Sequence, residues 1–161
     1  MRASSRVSLA YLRLGSNLGA RGAYLALGVE VVAAGEVHRL SRVYQSEPVG
    51  GVAQGDFWNL VMELTTDATP ETLLERARRA EASAGRERTR RWGPRTLDVD
   101  LLFVGDEIRQ SEELTLPHPR IYERSFVLVP LRELAPELVS DEALGAATGW
   151  VAALGTLESL R

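Results

Sequence analysis

Asp98 and Asp100 stand two residues apart in an apolar run, Leu97-Asp98-Val99-Asp100-Leu101-Leu102-Phe103. Side chains alternate faces along a strand, so both carboxylates point the same way, roughly 7 Å apart at the backbone. Unpaired carboxylates in so apolar a strand are costly. Two converging carboxylates can hold hard cations, and Mg2+ often binds through one or two of them plus substrate phosphates. Just upstream, residues 86 to 95 hold five arginines (86, 88, 90, 91 and 95) and one acid, Glu87. Guanidinium groups match phosphate oxygens in geometry and charge. Arg95 is the best placed, following Gly93-Pro94 and standing three residues before Asp98. The combination points to metal-assisted phosphoryl chemistry.

Other residues carry weaker signals. Trp92 lies in the same polar loop, either as its core anchor or as a lid over a flat ligand. Ser46, Phe57 and Asn59 put a hydroxyl, an aromatic face and an amide on two neighbouring strands. The Asn59 amide needs partners, which a heterocycle edge or neighbouring backbone can supply. His118 sits between two prolines and is followed by Arg120 and Arg124, a plausible nucleotide contact. Glu81 falls on the helix before the arginine loop, where acids are usually solvated. Gly15-Ser16-Asn17-Leu18-Gly19 lacks the Lys-Ser/Thr ending of a P-loop. Neither a cysteine nor a Ser/His/Asp order supports covalent catalysis.

These residues need a scaffold. Val7 to Leu14 predicts a buried strand ended by the glycine-rich turn. Ala20 to Ala34 predicts a helix with Tyr24, Leu27, Val31 and Ala34 on its apolar face, weakened by Gly28. Val37 to Ser46 and Phe57 to Thr65 predict strands, the second with Leu60, Met62 and Leu64 on one face. Thr69-Pro70-Glu71 starts a helix that runs to about Ala84 and stops at Gly85. Leu97 to Val104 is the acidic strand, and Glu107 to Arg109 is expected to pair back as a short hairpin. Ser125 to Leu134 predicts a helix, and a weaker one is expected from about Asp141 to Leu154. The order β-α-β-β-α-β indicates α+β, a ferredoxin-like sandwich with a mainly antiparallel sheet and extra C-terminal elements.

The 161 residues suit one domain, 45% hydrophobic and 25% charged, with residues 1–6 expected to be a frayed leader. A net charge of −3 argues against a general nucleic-acid binder. Absence of cysteine fits a cytoplasmic location, and no apolar run approaches the ~20 residues of a membrane span.

The motifs resemble the 6-hydroxymethyl-7,8-dihydropterin pyrophosphokinases of folate biosynthesis. The carrying blocks are Tyr11 to Gly19, Ser41 to Gly50, Phe57-Trp58-Asn59, Gly85 to Leu102, Leu114 to Arg120 and Glu123 to Leu131. The resemblance implies transfer of pyrophosphate from ATP to the pterin hydroxymethyl group, releasing AMP. Asp98 and Asp100 would then hold two Mg2+ ions, with Arg86 and Arg95 on the phosphates. Glu81, Arg88, Leu101, His118 and Arg124 would serve the ATP site, with Arg88 and Trp92 on a closing loop. Phe57 and Phe126 would sandwich the pterin, and Ser46, Asn59 and the backbone near Val49 would contact its edge. A monomer acting on small molecules, away from nucleic acid and membrane, is implied. Three features depart from the family: Arg13 in place of a small or apolar residue, Trp58 in place of leucine, and the Gly- and Val-rich first helix. A ferredoxin-like RNA-binding module is a rival, disfavoured by the acidic charge and missing aromatic pattern. A nucleotidyltransferase using the same carboxylates is another; it would release pyrophosphate instead of AMP.

Overall fold

The computed structural model describes residues 7–47, 56–85 and 96–160. The leader expected at 1–6 and the candidates Val49, Arg86, Arg88, Trp92 and Arg95 lie outside the described residues. Element order is β1 (Ser8–Ser16), α1 (Arg21–Ala33), β2 (His38–Leu40), β3 (Val43–Ser46), β4 (Phe57–Thr66), α2 (Pro70–Ser83) and β5 (Asp98–Val104). A two-stranded ribbon of β6 (Arg109–Gln110) and β7 (Thr115–Leu116) follows. The chain ends with α3 (Ser125–Leu134), α4 (Asp141–Ala146), β8 (Val151–Gly155) and α5 (Leu157–Leu160).

The main sheet runs β5-β1-β4-β3-β8, with β2 also paired to β4, and every pairing is antiparallel. Its first four strands have the order expected of two interleaved βαβ units, so the ferredoxin-like α+β architecture holds. Strand alternation sorts the residues into two layers. Ala10, Leu12, Leu14, Leu60, Met62, Leu64, Val99 and Leu101 form one buried core with α1 and α2. Tyr11, Val61 and Leu102 face the other way and pack under α3 through Val127, Leu128 and Leu131. Helix α3 roofs only part of that second face. The remainder holds Arg13, Gly15, Asn59, Asp98 and Asp100, neighbours across three paired strands.

Local chemistry explains where elements begin, end and break. Thr69 Oγ1 accepts from the Thr72 amide at 3.1 Å and caps α2, with Pro70 in its first turn. Strand β1 runs past the expected stop because Gly15 and Ser16 still pair with Asn59 and Trp58. The single strand expected over Val37 to Ser46 is split in two. Ser41 Oγ, in place of a backbone carbonyl, accepts from the Val61 amide at 2.9 Å, which interrupts the ladder.

Three further expectations are corrected. Helix α1 turns a different face inward: Gly22, Leu25, Gly28, Val29 and Val32 are buried, while Tyr24, Leu27 and Val31 are only partly covered. Gly28 sets this rotation, because a Cβ there would meet Leu14 Cδ2 at 2.8 Å and Leu97 Cδ2 at 3.0 Å. The hairpin after β5 forms between β6 and β7 instead of returning to β5. The helix expected from Asp141 to Leu154 stops at Ala146, and β8 adds to the free edge of β3. Alanine-rich composition favours a helix there, but the open edge and Gly149, at φ 104°, favour the strand.

Candidate active site

Arg13, the first of the three departures from the family resemblance, sits at the centre of this part of the face. The residue is only 4% exposed. Nη1 donates to Asp98 Oδ2 and to Asp100 Oδ2, both at 3.0 Å. Nε and Nη2 donate to Asn59 Oδ1 at 3.2 and 2.6 Å. The same planar group lies 5.5 Å from the Phe57 ring centroid and 4.8 Å from that of Phe126. Such stacking of a guanidinium on aromatic faces is favourable, more so when desolvated. Gly15 makes room: a Cβ there would come within 2.3 Å of Arg13 Nη2.

Asp98 and Asp100 therefore converge, as the alternation rule requires, and they converge on one nitrogen. Both side chains keep partial exposure, 26% and 32%. Burial pushes the Asp100 carboxyl above its usual range, and the charge of Asp98 adds to the rise. Arg13 and His118 oppose it. Arg13 is thus a partner that the two carboxylates share. Among the described residues no third carboxylate or imidazole joins them as a metal cluster. Two hard oxygens at a partly open position fit Mg2+ completed by phosphates and water better than an all-protein cage.

Asn59 is fully buried on β4, and its Nδ2 donates to Ser46 Oγ at 2.8 Å and to the Tyr44 carbonyl at 3.3 Å. Its oxygen therefore turns towards the slot between Phe57 and Phe126. Phe57 begins β4 and Phe126 lies in the first turn of α3, so a strand and a helix supply the two walls. Trp58, the second departure, faces the other side and stacks with Arg21 at 4.6 Å.

A cleft of about 360 Å3 opens beside the carboxylates, lined by Leu74, Ala77, Glu81, Leu101, Leu114 and His118 among others. Glu81 is buried, contrary to a solvated helix acid, and its Oε2 accepts from the Val99 amide at 3.0 Å. Burial pushes the His118 imidazole below its ordinary value, with Asp100 opposing and Arg124, Arg13 and Arg120 reinforcing. Its Nδ1 accepts from the Arg120 amide at 3.1 Å, which leaves the neutral ring's proton on Nε2. Arg124 lies 5.4 Å from the Phe126 centroid, and burial lowers its pKa. The structure thus groups Ser46, Phe57, Asn59 and Phe126 around one slot, and Glu81, Leu101 and His118 around an adjoining cleft. Asp98 and Asp100 stand between them.

Sequence reasoning left Arg13 out of the site. A signal was present: an arginine in the middle of a buried strand needs partners, and period two puts it on the face of Gly15.

Fold and site define an α+β sandwich enzyme with a paired-carboxylate centre between an aromatic slot and a second cleft. Residues 11–136 match the model of the 7,8-dihydro-6-hydroxymethylpterin-pyrophosphokinase family. The chain belongs to that family. It is 43% identical over 144 residues to the 2-amino-4-hydroxy-6-hydroxymethyldihydropteridine pyrophosphokinase of Bacillus subtilis, covering 88% of this chain and 86% of that one. The enzyme of the same description from Methylorubrum extorquens is 46% identical over 133 residues, covering 81% and 84%. A crystal structure of HPPK-DHPS in complex with substrates shares the fold, with a TM-score of 0.60 at 12% identity. That match takes in 82% of this chain and 41% of the solved chain, so the likeness spans under half of the larger protein. Among the described residues no helix is long and apolar enough to cross a membrane.

Proposed function

We propose that this chain transfers a pyrophosphoryl group from ATP to the hydroxymethyl oxygen of 6-hydroxymethyl-7,8-dihydropterin, with Mg2+, releasing AMP. The observation that carries the proposal is the adjacency of three parts. Phe57 and Phe126 form a slot with the Asn59 oxygen at its floor. Asp98 and Asp100 stand at its side, and a cleft with Glu81 and His118 lies beyond them.

The slot is suited to a flat heterocycle. Stacking between two rings holds it in a plane, and Asn59 Oδ1 accepts from its ring N–H and amino groups. Ser46 fixes the Asn59 amide so that the oxygen faces inwards. Leu101 and His118 line a cleft for the nucleotide, with neutral Nε2–H of His118 as a donor. Asp98 and Asp100 would hold Mg2+, in the family's case two ions. A cation held by Asp98 and Asp100 would supply neutralisation of phosphate charge and a lower pKa for the acceptor hydroxyl. Arg86 and Arg95 are assigned to the phosphates, and Arg88 and Trp92 to closing the site against water. Displacement at the β-phosphorus depends mainly on positioning and charge neutralisation, so a site without a covalent nucleophile suffices. The form proposed is a cytoplasmic monomer.

The deciding experiment incubates the protein with ATP, Mg2+ and the hydroxymethyl-dihydropterin and identifies the released nucleotide product. AMP in step with pterin pyrophosphate is expected. Free pyrophosphate without AMP would instead assign a nucleotidyltransferase.

A further inference from the structure

We propose that Arg13 is an internal stand-in for the pterin, filling the ring slot and bridging the carboxylate pair until substrate and metal displace it together. The proposal rests on the slot reading above and adds to it a residue that sets affinity and coupling.

A guanidinium and the aminopyrimidinone edge of a pterin share a planar N–C–N unit bearing N–H donors. Arg13 presents that unit where the substrate's would lie. It stacks against both Phe57 and Phe126 and donates to Asn59 Oδ1 through two nitrogens, at 3.2 and 2.6 Å. The Asn59 oxygen has two lone pairs and both are taken. No flat ring can enter between the phenylalanines while the guanidinium stays. The third nitrogen, Nη1, holds Asp98 and Asp100 at 3.0 Å each, so the same side chain also competes with a cation at the carboxylates.

One side chain thus closes two subsites. Its departure for one ligand opens the other, which makes pterin and Mg2+–nucleotide bind with positive cooperativity. Apparent affinity for either ligand alone is lowered by the fraction of molecules in which Arg13 has swung out. The planar fork suits this role in a way that a lysine does not.

The test compares wild type with Arg13→Ala by calorimetric titration of 6-hydroxymethylpterin, first without metal or nucleotide and then with Mg2+ and a non-hydrolysable ATP analogue. Arg13→Ala is expected to bind the pterin about tenfold tighter in the first condition and to lose most of the gain that the second brings. Should Arg13→Ala fail to fold, Arg13→Lys keeps a cation for the carboxylates without the flat stack, and the same tightening is expected. Free guanidinium ion at millimolar concentration should compete with pterin in Arg13→Ala beyond the effect of equal NaCl. Competition no stronger than NaCl overturns the mimicry. Pterin affinity that is unchanged, weaker or undetectable in both proteins without nucleotide overturns the gate while leaving the slot intact if binding appears with nucleotide. Absence of pterin binding in every condition removes the slot reading and the gate with it.

Discussion

Asp98 and Asp100 differ from ordinary surface acids in converging on one shared partner, Arg13. Asp98→Ala and Asp100→Ala are each expected to lower turnover on the order of 10^3-fold, the scale of losing a cation's stabilisation of phosphate charge. Retained Mg2+-dependent turnover in both variants refutes the metal assignment. Phe57 walls only the slot, so Phe57→Ala should weaken pterin binding about tenfold and leave ATP binding nearly unchanged. Equal losses for the two ligands count against the stack. The carboxylates were legible from spacing alone, because period two is a strict rule of extended chains. The role of Arg13 was not. Alternation gives its face, but which groups it reaches depends on Asn59 and Phe126, 46 and 113 positions away. The burial of Glu81 was not legible for a related reason: its hydrogen bond to Val99 joins a helix to a strand edge across the arginine loop.

At the scale of elements, strong local signals translated well and tertiary choices did not. Thr69-Pro70 and the leucine-rich β4 needed no outside information. The inward face of α1 did, because the helix approaches β1 most closely at Gly28, where a smaller residue outweighs a better apolar stripe. Gly28→Val should overpack Leu14 and Leu97 and cost about 2 kcal/mol, lowering Tm by roughly 5 °C. In Gly28→Ala the gain in helix propensity, about 1 kcal/mol, offsets much of the crowding. A Gly28→Val protein as stable as wild type would show that the helix can move away freely. The region after Asp141 failed for a different cause. Its helix-favouring alanines meet an unpaired strand edge, and backbone pairing with β3 wins.

For the molecule as a whole, α3 is tied to the sheet at the end remote from the slot. Tyr11 Oη donates to Glu63 Oε2 at 2.7 Å, and Arg39 grips both oxygens of Glu63 at 2.8 and 2.9 Å while reaching the Leu134 carbonyl. These Arg39 hydrogen bonds, ahead of the opposing effect of burial, hold the Glu63 carboxyl below its ordinary 4.5. The unfolded chain therefore binds more protons across that window. Stability from Glu63 is full above about pH 4.5 and is lost as pH falls through the lower folded value. Glu63→Gln should flatten the acid limb of Tm against pH, and a limb that superimposes on the wild-type curve would falsify the assignment. Burial and the Glu63 carboxylate push Tyr11 upward, so it stays a donor throughout.

The carboxylate strand β5 lies at the rim of the sheet, yet two of its outward backbone groups are engaged. The Val99 amide is taken by Glu81, and the Leu102 carbonyl accepts from the His118 amide at 3.0 Å. Rim strands with free polar groups invite neighbouring molecules to add themselves, the usual first step towards precipitation. Here two of those docking points are spent inside the molecule, so crowded conditions offer a second copy little purchase along this border.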